Sequence, residues 1–226
     1  KMSPIIISVE GNIGAGKSTF LEKWKTTSKR FVLSIPEPVE EWRKSGMLNY
    51  FYSDPVKNGL VFQLYVLNSR FSTLLSTYSE WDKYDIVLVE RSFESDDIFA
   101  QISLNKKEYD IYKKFSNTLQ ETINSVTAHY ERKTVYLDTR HFTCKQRIIQ
   151  RSRTEEDGIP LEYLEKIQQH HDARFKHAYK YDNGFLEFPS ELNLRVGVPC
   201  EYENVFEKLE TLFLTKTPFS DLKVIA

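Results

Sequence analysis

Near the start of the 226-residue chain, Gly11-Asn12-Ile13-Gly14-Ala15-Gly16-Lys17-Ser18 fits G-x-x-x-x-G-K-[ST] in full. Its chemistry is the grip of phosphate. Glycines let backbone N–H groups turn inward on phosphate oxygens, and a helix N-terminus behind them adds positive potential. Lys17 is expected to reach the β- and γ-phosphates of a nucleoside triphosphate. The Ser18 hydroxyl is expected on Mg²⁺, with Thr19 completing the cradle. The bland alternative is a glycine-rich strand-to-helix turn without a ligand. The apolar run IIISV before the motif and the helix-like run after it supply the context that the motif requires. The cradle does not identify the acceptor. Asn105-Lys106-Lys107-Glu108 resembles a guanine motif, but it lacks the Asp and follows no strand, so GTPase chemistry is not indicated.

Two carboxylates could complete the chemistry. Glu37 follows the run FVLSI (31–35), and Glu90 ends IVLVE (86–90) just before Arg91. In an open parallel sheet, ligands sit beyond the carboxyl ends of the strands. A carboxylate beside a γ-phosphate is repelled unless it holds Mg²⁺ or takes a proton. One of the pair is therefore expected as metal partner, the other as base for a hydroxyl nucleophile. A helix-start acid is the ordinary alternative for either alone. A second cluster lies further on, where Lys145, Arg147, Arg151 and Arg153 crowd nine residues of a chain with net charge −1. A solvated basic face is the usual meaning of such a run. Here it precedes the Gly158-Ile159-Pro160 break, as expected of an Arg-rich lid over about 147–160 that brings guanidiniums onto a transferring phosphoryl.

The elements that must position these groups follow from the apolar pattern. Five short runs rich in β-branched residues, at 5–9, 31–35, 86–90, 134–138 and 192–196, read as strands buried on both faces. Helical segments are expected at 17–27, 55–80, 93–128 (as two helices), 142–152, 160–180 and 201–214. That alternation predicts an α/β protein with a five-stranded parallel sheet flanked by helices. No linker, repeat or low-complexity tract interrupts it, so residues 1–226 are expected as a single domain. The 40% hydrophobic and 28% charged residues are ordinary globular usage. The near-zero net charge implies no bulk attraction to nucleic acid or membrane. Cys144 and Cys200 are far apart and in no metal-type spacing, which points to a reducing compartment. His129, His141, His170, His171 and His177 form no zinc motif and read as surface or core histidines. No signal peptide precedes the first strand, so a cytoplasmic location is expected; a removed mitochondrial transit peptide is compatible with the same sequence.

The order GNIGAGKST, EPVEEW, YSDP, FQLYVLNSR, ERSFESD and QRIIQRSRTEEDGIPLEYLEK resembles the deoxynucleoside kinases, a group that includes deoxycytidine, deoxyguanosine and insect-type multisubstrate enzymes. The resemblance runs through nearly the whole chain. It implies a P-loop kinase fold, ATP with Mg²⁺, a deoxynucleoside acceptor and a homodimer. It makes Glu37 the base for the sugar 5′-hydroxyl, steadied by Arg91, and gives Glu90 to Mg²⁺. Arg147, Arg151 and Arg153 would meet the donor phosphates from the lid. Glu156 and Tyr52 would hold the 3′-hydroxyl, with the Tyr52 ring leaving little room for a 2′-hydroxyl. Gln63 would read the base edge, and Trp42, Phe62 and Phe99 would wall its pocket. An Arg70–Asp96 pair would fill the space of a thymine methyl, favouring deoxycytidine and purine deoxynucleosides. The run 93–100 is one residue shorter than in those kinases, which takes Phe99 off its offset.

Two rival readings lead elsewhere. A nucleoside monophosphate kinase, such as a thymidylate kinase, has a phosphate acceptor and needs no strong base. It usually carries Arg before the Glu-Pro, where this chain has Pro36. A nucleotide-binding switch without turnover would bind ATP and give no product.

Overall fold

The computed structural model describes residues 3–182, 185–188, 196–199 and 204–215. Five parallel strands stand in the order β2-β3-β1-β4-β5: β1 (Ile5–Gly11), β2 (Val32–Ile35), β3 (Ile86–Glu90), β4 (Glu131–Leu137) and β5 (Tyr179–Asp182). Two further strands, β6 (Phe185–Phe188) and β7 (Val196–Pro199), extend the β5 edge in antiparallel pairing. The described helices are α1 (Lys17–Thr27), α2 (Val39–Lys44), α3 (Met47–Ser53), α4 (Pro55–Tyr78), α5 (Phe93–Ser103), α6 (Lys106–Thr127), α7 (His141–Arg151), α8 (Leu161–Arg174) and α9 (Val205–Thr215).

The α/β expectation holds, with one strand reassigned. The fifth parallel strand is Tyr179–Asp182, which lies partly inside the helix expected over 160–180. That helix stops at Arg174, where the Phe175 N–H donates to the His171 carbonyl. Of the expected strand 192–196, residues 192–195 lie outside the described residues, and Val196 opens the antiparallel β7. Helices α2 and α3 were not among the expected elements. Asn105 and Glu108 form the reciprocal capping box of α6, which accounts for the run that resembled a guanine motif.

Strand alternation divides the core. Ile5, Ile7 and Val9 face one side, with Phe20, Leu21 and Trp24 of α1 and Phe206, Leu209 and Phe213 of α9. Ile6, Val87 and Val89 face the other, with Leu74 of α4, Ile123 of α6 and Trp81. A buried side chain of this size contributes about 1.5–3 kcal/mol. These two layers cover β1, which lies between β3 and β4. The strand order reverses there, so the crevice at its carboxyl end is where a ligand is expected.

Candidate active site

The loop from Gly11 to Gly16 leaves β1 in that crevice. Gly14 has φ +79°, and a Cβ there would meet the Cys144 carbonyl oxygen at 2.6 Å, so only glycine lets α7 pack so closely. Gly16, at φ +96°, turns the chain into α1. Lys17 is buried, and its Nζ donates to the Asn12 carbonyl at 2.9 Å. Burial pushes its ammonium down to about 8, with Arg91 adding to the effect. Ser18 stands second in α1, and its Oγ donates to both Glu90 oxygens, at 3.0 and 3.1 Å.

A cavity of about 440 Å³ runs from this loop to an aromatic pocket. Glu37 lies between its two ends. Ile35 pairs with Val89, so Glu37 comes level with Arg91 just beyond the strand ends. Arg70 Nη1 donates to Glu37 Oε1 at 2.9 Å, and Arg91 Nε donates to Oε2 at 3.0 Å. The Glu37 N–H donates to Glu90 Oε2 at 3.3 Å, which ties the two acids together. Burial alone would push the Glu37 carboxyl up. Arg91, Arg70 and Lys17 outweigh it and hold the group below its ordinary value. Glu37 is thus a ready-ionised acceptor facing the cavity.

Arg91 is placed by backbone strain. Its φ is +65°, uncommon for a side chain with a Cβ, and its N–H donates to the Val9 carbonyl at 2.9 Å. This corner turns β3 into α5, whose cap is Ser92. The Arg91 guanidinium lies 4.7 Å from the centre of the Phe99 ring. Phe99 lines the cavity despite the shortened run.

The pocket end is built by α2, α3 and α4. Phe51 and Phe62 stack at 4.5 Å, and Trp42 meets Phe62 edge-on at 6.2 Å. Trp42 is fixed by its Nε1 donating to Ser69 Oγ at 2.8 Å. Gln63 and Asp96 both line the cavity, and Gln63 Nε2 donates to Ser103 Oγ at 3.1 Å. Arg70 is not among the residues that line the cavity. It stands behind, with Nε 3.1 Å from Asp96 Oδ2 and Nη1 shared between Glu37 and the Glu90 carbonyl. Helix α4 sets it between two carboxylates, Glu37 and Asp96.

The arginine segment closes the remaining side. Helix α7 ends at Arg151, close to the expected limit. Arg147 Nη1 donates to the Ala15 carbonyl at 2.9 Å, beside the cradle. Arg151 Nε donates to Glu156 Oε2 at 2.7 Å, and Arg153 Nη1 donates to Oε1 at 3.4 Å. Glu156 is buried and lines the cavity with Tyr52, whose phenol burial pushes well above its ordinary value. Arg43 of α2 holds the neighbouring Glu155 at 3.0 Å. Asn12 faces away from the cavity, its Nδ2 donating to the Leu164 carbonyl at 2.8 Å. Sequence reasoning missed Val39, Leu48, Phe51, Val66 and Tyr163, all on the cavity lining. The aromatic run Tyr50-Phe51-Tyr52 was the available signal for the α3 wall.

Residues 7–224 match the family model described as deoxynucleoside kinase. The chain is 30% identical over 239 residues to human deoxycytidine kinase, covering 92% of this chain and 91% of that one. It is 26% identical over 221 residues to a probable deoxycytidine kinase of Fowlpox virus (strain NVSL), covering 92% and 89%. It is 32% identical over 177 residues to human mitochondrial thymidine kinase 2, covering 74% and 63%. A phosphate cradle and a buried carboxylate at one cavity are the working parts of such a phosphoryl transferase, and the chain belongs to the deoxynucleoside kinase family.

Proposed function

We propose that this protein transfers the γ-phosphoryl group of ATP to the 5′-hydroxyl of a deoxynucleoside, favouring deoxycytidine and purine deoxynucleosides. One observation carries the reading. The Glu37 carboxylate, gripped by two guanidiniums, faces the middle of a cavity with the cradle at one end and an aromatic pocket at the other. A hydroxyl acceptor needs such a base, whereas a phosphate acceptor would be repelled by it.

In this reading Glu37 takes the 5′-hydroxyl proton as the oxygen attacks, and Arg91 and Arg70 keep it ionised and aimed. Lys17 and the backbone from Gly11 to Thr19 hold the donor phosphates. Ser18 Oγ and the Glu90 carboxylate form an oxygen pair that fits Mg²⁺, an ion normally held by one or two carboxylates plus substrate phosphates. When bound, Mg²⁺ would neutralise charge that develops between leaving and transferring phosphates. Residues of about 147–160 act as a lid: Arg151 and Arg153 pass from Glu156 to the donor phosphates, with Arg147 already at the cradle. Freed of them, Glu156 and Tyr52 hold the sugar 3′-hydroxyl. Gln63 and Asp96 read the base between Trp42, Phe62 and Phe99.

Exposed Val61 and Leu75 of α4, with Ile111 and Phe115 of α6, support a homodimer through these two helices. Among the described residues no helix is long and apolar enough to cross a membrane. Buried Cys144 is a free thiol, which accords with a reducing, cytoplasmic setting. The deciding experiment is a Mg·ATP assay against the four deoxynucleosides and their monophosphates. Turnover of deoxynucleosides alone is expected, with deoxycytidine and the purines ahead of thymidine. Turnover confined to monophosphates, or ATP binding without product, would refute the reading.

Asp96 supplies a pH test. Burial, aided by Glu37 and opposed by Arg70, pushes its carboxyl up to about 6. A raised folded value means this group stabilises the fold most below its unfolded value of about 4, and that contribution is lost as pH rises through 6. In function the sign is opposite, because the exocyclic amine of cytosine needs the ionised acceptor. The KM for deoxycytidine is expected to rise as pH falls from about 7 to 5, and Asp96→Asn is expected to flatten that rise. An unchanged KM profile in the variant would remove Asp96 from base reading.

A further inference from the structure

Behind the cavity, three fully buried polar side chains form a row: Glu10 on β1, Ser95 on α5 and His171 on α8. Ser95 Oγ touches Glu10 Oε2 and lies 3.2 Å from His171 Nε2. His171 Nδ1 lies 2.9 Å from the Ile167 carbonyl oxygen. A carbonyl oxygen only accepts, so Nδ1 carries a ring proton. On a neutral ring, Nε2 is then an acceptor, and the single Ser95 proton goes to it. The Ser95–Glu10 contact is a hydrogen bond only if Glu10 brings its own proton. The reverse arrangement would put an imidazolium and a carboxylate in a fully buried site. Burial, with help from Arg91, pushes His171 down to about 3, and burial pushes Glu10 up. Both tendencies leave the proton on Glu10.

The surroundings give that proton a purpose. Arg91 from the end of β3, Arg70 from α4 and Ser92 at the cap of α5 pull Glu10 towards its ionised form, and burial outweighs them. Asp96 of α5 and Tyr136, its register partner on β4, stand beside it. Arg91 and Arg70 are the two guanidiniums that grip Glu37. Among the described residues, Glu10 Oε1 and Arg91 Nη1 are each buried without a hydrogen-bond partner, and Arg91 pairs with Glu37 and not with Glu10. An ionised Glu10 would close that gap. It would be a further buried carboxylate, beside Glu37, Asp96 and Glu90, drawing on two cations.

We propose that Glu10 is a positioning residue, held as a neutral acid through Ser95 and His171 so that Arg91 and Arg70 are left to Glu37. This rests on Glu37 as the base, and its test has one arm that does not. In the intact protein carrying ¹³C-glutamate and ¹⁵N-histidine, Glu10 is expected to resonate as a carboxylic acid at neutral pH. His171 is expected to be protonated on Nδ1 alone. A carboxylate signal from Glu10, or a proton on His171 Nε2, overturns the proposal whatever the role of Glu37. In the kinetic arm, Ser95→Ala frees Glu10 to ionise and pull on Arg91, and kcat is expected to fall about tenfold or more. Adding Glu10→Gln removes that charge and is expected to restore kcat by at least about fivefold over the single variant. A double variant no faster than the single one marks a packing role and also overturns the proposal.

Discussion

Glu37→Gln is expected to lower kcat by about a thousandfold, with the KM for the deoxynucleoside changing only a few-fold. The amide keeps the size of the carboxylate and loses its ability to take a proton. Arg70 retains Asp96 at 3.1 Å and Arg91 retains its place over Phe99, so the pocket walls stay where they are. Steady-state kinetics with Mg·ATP and the preferred deoxynucleoside check this. Near-normal kcat would refute the base assignment. A large rise in KM with kcat unchanged would make Glu37 a binding group instead.

Arg70→Met is expected to cost about 3–5 kcal/mol of stability, because it leaves Asp96 and part of Glu37 as buried charge without a partner. It is also expected to slow turnover of every substrate, since Glu37 loses one of its two supports. Adding Asp96→Ala removes the stranded carboxylate. The double variant should regain much of the stability and shift the ratio of kcat/KM towards thymidine, whose methyl group gains room. Denaturant unfolding of both variants and a four-nucleoside kinetic panel read the two effects separately. A single variant as stable as the wild type would contradict the buried ion-pair network. An unchanged thymidine ratio in the double variant would remove the Arg70–Asp96 pair from base selection.

The gathering of the cradle motif and its neighbouring acids at one cavity was legible because those signals are local. Eight consecutive residues carry the cradle, and Glu37, Glu90 and Arg91 follow strand ends that the apolar runs mark plainly. What was hidden depends on folding rather than on neighbours in sequence. Tyr179–Asp182 is polar and aromatic, continues a helical pattern and becomes a strand only by pairing with Val135–Leu137. Helices α2 and α3 are short, so periodicity gives little warning of them, yet they carry Trp42, Leu48 and Phe51 to the pocket. Arg70 shares the expected helix with Gln63, but its turn away from the cavity is set by two carboxylates from other elements. Glu10, Ser95 and His171 meet across separations of 85 and 76 residues, and no spacing rule joins them.

The left-handed corner at Arg91 sets conformational ease against the grip on Glu37 at one position. A glycine would sit there without strain, but it would carry no guanidinium to Glu37 and nothing to lie over Phe99. Substitutions chosen only to relax the backbone would therefore single out this residue and strip Glu37 of one of its two guanidiniums. Efforts to harden the protein against heat should leave the corner alone and look to exposed positions such as Phe31 and Val56.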